Sequence, residues 1–218
     1  MDLLVAAQVE PEILITERVG HARELASGAI DRGARIVAAW GGDGTVNEVA
    51  SALAGTATSL AVIPAGSGNG LARMIEMPAD PARAIHRLLH GADRLIDLGE
   101  IDGRLFVNVA GVGFDAHIAA EFAALGRARR GFLRYGAIVL RELRRYEAEE
   151  YGIALRTASP DCQADRCSAR AFLVSFANGR QWGNGAIIAP DAELDDGLLD
   201  AVVVEDRGRG AVLRALPR

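Results

Sequence analysis

The segment Trp40–Glu48 reads WGGDGTVNE. Before it runs Ile36-Val37-Ala38-Ala39, apolar and partly β-branched as a buried strand end is, and after it the chain turns helical. A Gly-rich turn between strand and helix ordinarily cradles an anion. Glycines let the backbone approach a ligand without a Cβ in the way, and the free N–H groups and dipole of the helix favour phosphate. Asp43 is then the odd residue, because a bare carboxylate repels phosphate. Its chemistry makes sense if it acts through magnesium or takes a proton from an attacking hydroxyl. The plain structural reading is a tight turn closed by an Asx-type hydrogen bond. A second loop, Pro64–Gly70 (PAGSGNG), leaves the next strand and also feeds a helix.

All 24 basic side chains are arginine and none is lysine. A Walker A loop and a protein-kinase phosphate site both need lysine. Phosphate handling here therefore falls to backbone N–H groups, arginine and metal. The net charge of −5 argues against a nucleic-acid footprint spread over the surface. No run approaches the length of a membrane span, and MDLLVAAQVEPE has no basic leader region. With 50% hydrophobic residues the chain can bury a real core. Cys162 and Cys167 have no nearby histidine and read as two reduced thiols of a cytoplasmic protein.

The elements that must position the two loops follow from periodicity. Ile13–Thr16 reads as a short strand. His21–Arg32 carries Ala22, Leu25, Ala26, Ala29 and Ile30 at helical spacing, with Gly33 in the C-terminal cap position. Strands are predicted at Ile36–Trp40 and Leu60–Ile63, and helices at Val46–Leu53, Leu71–Met74 and, behind the cap Asp80-Pro81, up to His90. This alternation predicts parallel βαβ units and an open α/β sheet. Near residue 95 the pattern changes. Leu95–Leu98 and Leu105–Val109 read as strands joined through Asp102-Gly103. A helical interlude covers Ala116–Tyr146, and Tyr151–Leu155, Ala171–Ala177, Ala186–Ile188 and Leu198–Val204 read as mostly antiparallel strands. The expected architecture is an open parallel α/β nucleotide-binding domain, residues 1–95, followed by an antiparallel β-sandwich domain, residues 96–218, with a helical insertion.

In order along the chain, WGGDGTVNEVASAL, PAGSGNGLARMI, GVGFDA and NGRQWGNGAIIAPDAELDDGLLD resemble the diacylglycerol-kinase catalytic-domain family of bacterial lipid kinases and sphingosine/ceramide kinases. SGNGLAR is more similar to the sphingosine-kinase-like branch. The resemblance implies an ATP- and magnesium-dependent lipid kinase whose nucleotide lies across the glycine loops, in a cleft between the two domains. It assigns nucleotide contacts to Thr16, to Gly41, Gly42, Asp43, Gly44, Thr45, Val46, Asn47 and Glu48, and to Gly66, Ser67, Gly68 and Asn69. Arg73 would reach a phosphate or else be a helix-surface guanidinium. Asp43 matches the aspartate used as base, or placed near the magnesium network. Asp115, in GVGFDA, would read a lipid head group or cap the helix that follows. Glu193, Asp196 and Leu198 match a magnesium-binding turn, with Asp196 giving a carboxylate and the other two backbone carbonyls.

Seven arginines between Arg127 and Arg145 alternate with apolar residues. They form either a solvated helix face or a surface that rests on an anionic membrane. The family usually opens with one further strand and an Asn-Pro-containing phosphate loop. It also continues past the DDGLLD strand to a catalytic acidic residue. The chain is therefore expected to be incomplete at both ends, with a sheet edge open to self-association as a homodimer and its own turnover in question. Two rival readings remain: an NAD kinase, which shares GGDGT, and a catalytically silent nucleotide- or lipid-binding module.

Overall fold

In a computed structural model the described residues are 4, 7–124, 138–139, 141–143, 145–154, 166–183 and 185–206. The chain divides into two compact units. One comprises Met1–Val109 with Ala177–Leu199, the other Ala110–Phe176 with Asp200–Arg218.

The first unit is α/β. Helix α1 (His21–Asp31) buries Ala22, Ala26 and Ala29, the stripe its spacing predicts, and Gly33 closes it at φ +83° with its N–H on the Ile30 carbonyl. Strands β1 (Ile36–Gly41) and β2 (Ser59–Pro64) are parallel, with Ile36 opposite Ser59 and Gly41 opposite Pro64. Parallel pairing in this register brings both strands to their carboxyl ends side by side. The ladder continues one step into the loops, where the Ala65 N–H donates to the Gly41 carbonyl at 2.9 Å.

Helix α2 (Asp43–Leu53) starts three residues before the predicted Val46, so the glycine turn is its cap and first turn. Helix α3 (Gly70–Met74) follows the second loop, and α4 (Pro81–His90) begins at Asp80, whose side chain accepts from the Arg83 N–H at 2.9 Å. Ala22, Ala26, Ala39, Val46, Val49, Leu53, Val62 and Leu71 share one core with Val107 and Leu194.

Two predicted strands are corrected. Ile13–Thr16 has the apolar alternation of a strand but no ladder partner among the described residues, and Ile13 and Ile15 are 70% and 78% exposed. Propensity alone does not make a strand; a neighbour must take its backbone groups. Leu95–Leu98 is likewise irregular, because Asp97 donates its N–H to the Leu194 carbonyl and receives the Asn178 amide on its own carbonyl. The hairpin forms one segment later, β3 (Gly99–Ile101) against β4 (Arg104–Phe106), around Asp102 and Gly103 at φ +50° and +71°.

The second unit holds β5 (Val109–Gly113), α5 (Phe114–Ala124), β6 (Glu149–Ala154) and β7 (Arg166–Ala177). Strand β7 lies between β5 and the last strand and also pairs antiparallel with β6. Ala171, Phe172, Leu173 and Val174 of β7 are all buried. Strands β8 (Gln181–Gly183) and β9 (Ala186–Ile187) form a small antiparallel pair within the first unit. The last strand, β10 (Asp200–Glu205), starts later than the predicted Leu198, because the Leu198 N–H is held by the Asp196 side chain in a turn. About half of the predicted Ala116–Tyr146 interlude, with five of its seven arginines, and Cys162 lie outside the described residues.

Helix α1 has no side chain of its own capping it; Glu48 of α2 does this from a distance, accepting from the Gly20 and Ala22 N–H groups at 2.9 and 3.1 Å. Removing the carboxylate leaves both donors without that acceptor. We expect Glu48→Ala to cost about 0.5–2 kcal/mol of stability, the range of a lost N-terminal cap, with Glu48→Gln in between; urea denaturation measures it.

Candidate functional site

The two glycine loops touch through their backbones. A Cβ on Gly66 would stand 2.5 Å from the Gly42 Cα, and one on Gly42 would stand 3.1 Å from the Gly66 Cα. These two glycines are therefore required for loop-to-loop contact, whatever they also admit. Gly41 has a further constraint, since the Thr45 side chain occupies the space a Cβ there would need.

Asp43 bridges the loops. Its carboxylate accepts from the Asn69 N–H at 2.8 Å and the Gly70 N–H at 2.6 Å, so one side chain of the first loop caps the helix that leaves the second. Asn69 sits in the left-handed region at φ +54° and folds its amide back onto Gly66, accepting from the Gly66 N–H at 2.9 Å and donating to its carbonyl at 2.7 Å. Arg73 donates through Nε to the Gly68 carbonyl at 3.1 Å. An amide at position 43 would turn an N–H toward a backbone donor, so Asp43→Asn cannot keep the loop's shape as an isostere otherwise would.

The neighbouring motif residues also hold backbone. Asn47 donates to the Leu105 carbonyl at 3.2 Å and accepts from the Val107 N–H at 3.0 Å; Val46 is a core residue and Glu48 caps α1. Thr16 is half-buried and makes no side-chain hydrogen bond among the described residues. What stays open is the start of α2. Gly42 offers no side-chain cap, the first helical N–H groups have no intrahelical acceptor, and a Cβ built on Gly44 would meet nothing within 4 Å. Ser67 is exposed beside it on the second loop. This arrangement suits an anion held by backbone amides.

The acidic turn is hooked to the same unit. Arg94 forms a two-pronged ion pair with Asp195 at 2.6 and 2.9 Å, which lowers the Asp195 pKa and raises that of Arg94. The Gly197 N–H donates to the Asp97 carboxylate at 2.7 Å. Asp196 accepts from the Leu198 N–H at 2.9 Å through Oδ1. No group of three or more His, Cys, Asp or Glu side chains among the described residues is placed to hold a metal. Asp196 is exposed and uses one oxygen on that backbone donor, which leaves the other to a hydrated hard cation whose remaining positions water would fill.

Residues 1–101 match the diacylglycerol kinase catalytic domain, and residues 108–218 match the YegS C-terminal NAD kinase beta sandwich-like domain. The chain belongs to the diacylglycerol-kinase catalytic-domain family. It is 37% identical over 207 residues to a probable lipid kinase YegS-like protein of Pseudomonas aeruginosa, covering 92% of this chain and 66% of that protein. It is 34% identical over 202 residues to a diacylglycerol kinase of Mycobacterium tuberculosis, covering 90% of this chain and 63% of the relative. A putative diacylglycerol kinase from Bacillus anthracis has a similar structure, with a TM-score of 0.72 at 27% identity, over 97% of this chain and 70% of that one. The chain thus spans about two thirds of the length of these relatives.

In the second unit of this kinase-family chain, the glycines of GVGFDA shape the surroundings of Asp115. A Cβ on Gly111 would collide with the Asp115 carboxylate, and Gly113, at φ +99°, lies against the Phe172 carbonyl and the Tyr151 hydroxyl. Asp115 receives the Ala116 N–H at 2.8 Å and the Ser175 hydroxyl at 3.5 Å. Burial is the largest influence on the carboxyl and raises its pKa. Nearby, Tyr146 packs edge-on to Phe114 at 5.3 Å, and its pKa is raised to about 12, by burial first and then by its hydrogen bond with Tyr151. His117 meets Glu142 at 3.0 Å. Sequence reasoning singled out Asp115 but not Ser175, Tyr146 or Tyr151, since nothing local marks residues that come near it from other segments of the chain.

A carboxyl whose folded pKa lies above its unfolded value is destabilising once the pH exceeds the folded pKa. The penalty fades as pH falls through that value toward the unfolded one. We therefore expect Asp115→Asn to raise the thermal midpoint most at neutral and alkaline pH, with the gain vanishing near about pH 4; melts across a pH series check the trend.

Proposed function

We propose that this chain carries the nucleotide-binding and acceptor-binding parts of an ATP- and magnesium-dependent lipid kinase, which phosphorylates a hydroxyl of a diacylglycerol- or sphingoid-type lipid. The observation that carries the reading is the uncapped start of α2 at Gly42 and Gly44, open to a ligand and flanked by the second glycine loop. In a chain without lysine, the backbone amides there and on Gly66–Asn69 would hold phosphate, with the remaining guanidinium nitrogens of Arg73 beside them. Asp43 would orient or deprotonate the lipid hydroxyl through lone pairs that its two backbone donors leave free. Asn47 and Glu48 would contribute through the scaffold, and Thr16 would meet the nucleotide directly.

Asp115 and Ser175 would meet the polar part of the lipid. A lipid of either type would be met at a membrane surface; no helix among the described residues is long and apolar enough to cross a membrane. Asp196, with the Glu193 and Leu198 carbonyls, would hold magnesium. A bound magnesium supplies positive charge against the phosphates. Beside the shared GGDGT, the NAD-kinase reading has the NAD kinase-like description of the matching sandwich domain.

Gly44 separates a fold role from a ligand role. Alanine is the better helix former, by up to about 1 kcal/mol, and its methyl would meet nothing within 4 Å among the described residues. Gly44→Ala should therefore leave the fold as stable or more so while weakening ATP binding, and Gly44→Val should abolish binding; calorimetry beside thermal melts reads both. Equal ATP affinity in folded Gly44→Val would remove the assignment. A phosphotransfer assay with diacylglycerol vesicles, sphingosine and NAD in parallel separates the acceptor classes, and ATP binding with no transfer would point to a binding module.

The turn makes an independent test. Magnesium should raise the thermal midpoint of the parent chain more than that of Asp196→Ala. Equal shifts would mean that the turn is not the site.

A further inference from the structure

The return segment after β7 is fastened to the second glycine loop through one carboxamide. Asn108 accepts the Asn178 and Gly179 N–H groups on its backbone carbonyl at 2.8 and 3.1 Å, and its Nδ2 donates to the Gln181 carbonyl at 2.5 Å. Gly70, the first residue of α3, lies directly against this amide. A Cβ built there would run into Asn108 Nδ2 and stand 3.5 Å from the Gln181 carbonyl oxygen. On its other side Gly70 gives its N–H to Asp43. The Gly70 backbone is thus held between a carboxylate of the first loop and a carboxamide from outside both loops.

The chemistry makes the clamp directional. A carboxylic acid side chain at 108 would face the Gln181 carbonyl with a second acceptor, and alanine would leave that carbonyl without its donor. The oxygens Asn108 Oδ1, Asn178 Oδ1 and Gln181 Oε1 are buried without a partner among the protein groups described, so the cluster is already short of donors. Losing the Nδ2 donor would leave the return segment without its direct tie at this point. The Gly70 N–H would then no longer be presented squarely to Asp43.

We propose that Asn108 is a positioning residue for the phosphate site, acting through Gly70 and Asp43 on the placement of the second glycine loop. The inference rests on the ATP reading of that loop. Asn108→Asp should weaken ATP binding about tenfold, the effect of about one hydrogen bond. It should also speed amide exchange at Asn69 and Gly70 while leaving exchange within α1 unchanged. Asp80→Ala, which removes a cap on α4 remote from the loops, should lower stability and leave ATP affinity alone.

Gly70→Ala approaches the clamp from the other side. Its φ is not in the left-handed region, so alanine would ordinarily favour the helix. Pressed against Asn108, it should instead weaken ATP binding and loosen the same two amides. This variant carries the test should Asn108→Asp fail to fold. If the parent binds ATP and both folded variants bind it equally well, the positioning role is wrong. If the parent binds no ATP, the functional reading fails, and the exchange rates at Asn69 and Gly70 still decide the clamp: unchanged rates overturn it.

Discussion

The Asp43 carboxylate receives the amides of Asn69 and Gly70, and this bond pair makes a single surface out of two glycine loops. Glycine-rich segments lose much conformational freedom on ordering and have no side chains with which to hold themselves. A charged acceptor on two backbone donors is among the stronger ways to offset that loss. The question raised by a carboxylate among glycines has a structural answer at the level of the fold: it caps the neighbouring helix. Gly42 and Gly66 can approach backbone to backbone because of this closure.

The rest of the motif extends the same device. Asn47 holds the strand edge at Leu105 and Val107, and Glu48 caps α1. These three polar side chains stand on the first two turns of α2, and each reaches a segment that could not satisfy its own backbone. The groups not engaged in holding backbone are consequently the amides at the start of α2 and the outer nitrogens of Arg73. The proposed phosphate site draws on these, in a chain without lysine.

In the second unit glycine works differently. At Gly111 the missing Cβ makes room for a carboxylate, and at Gly113 the left-handed backbone turns the chain past the Phe172 carbonyl and the Tyr151 hydroxyl. Asp115 is thereby kept half-sequestered, with its pKa raised by burial, among Ser175 and two mutually hydrogen-bonded tyrosines. A carboxyl whose pKa is raised by burial is a kind of group that sites retain for chemistry or recognition.

Much was legible from the chain alone. The helices over 21–31 and 81–90 and the Asp102-Gly103 turn depend on residues within a few positions of one another, and the structure has them; it also has the strands preceding both glycine loops, each of which has the other as its partner. The order of the four motif blocks sufficed to name the family. The unpaired Ile13–Thr16 and the irregular Leu95–Leu98 were not legible, because strand formation depends on a partner that local pattern does not contain. Nor was the role of each motif side chain. Asp43 and Gly70 stand 27 positions apart, and Asn108 and Gln181 stand 73 apart. The sequence determined which groups could donate or accept; the parallel register of β1 and β2 and the return of residues 177–199 decided which of them meet, since a hydrogen bond is set by distance in space and not along the chain.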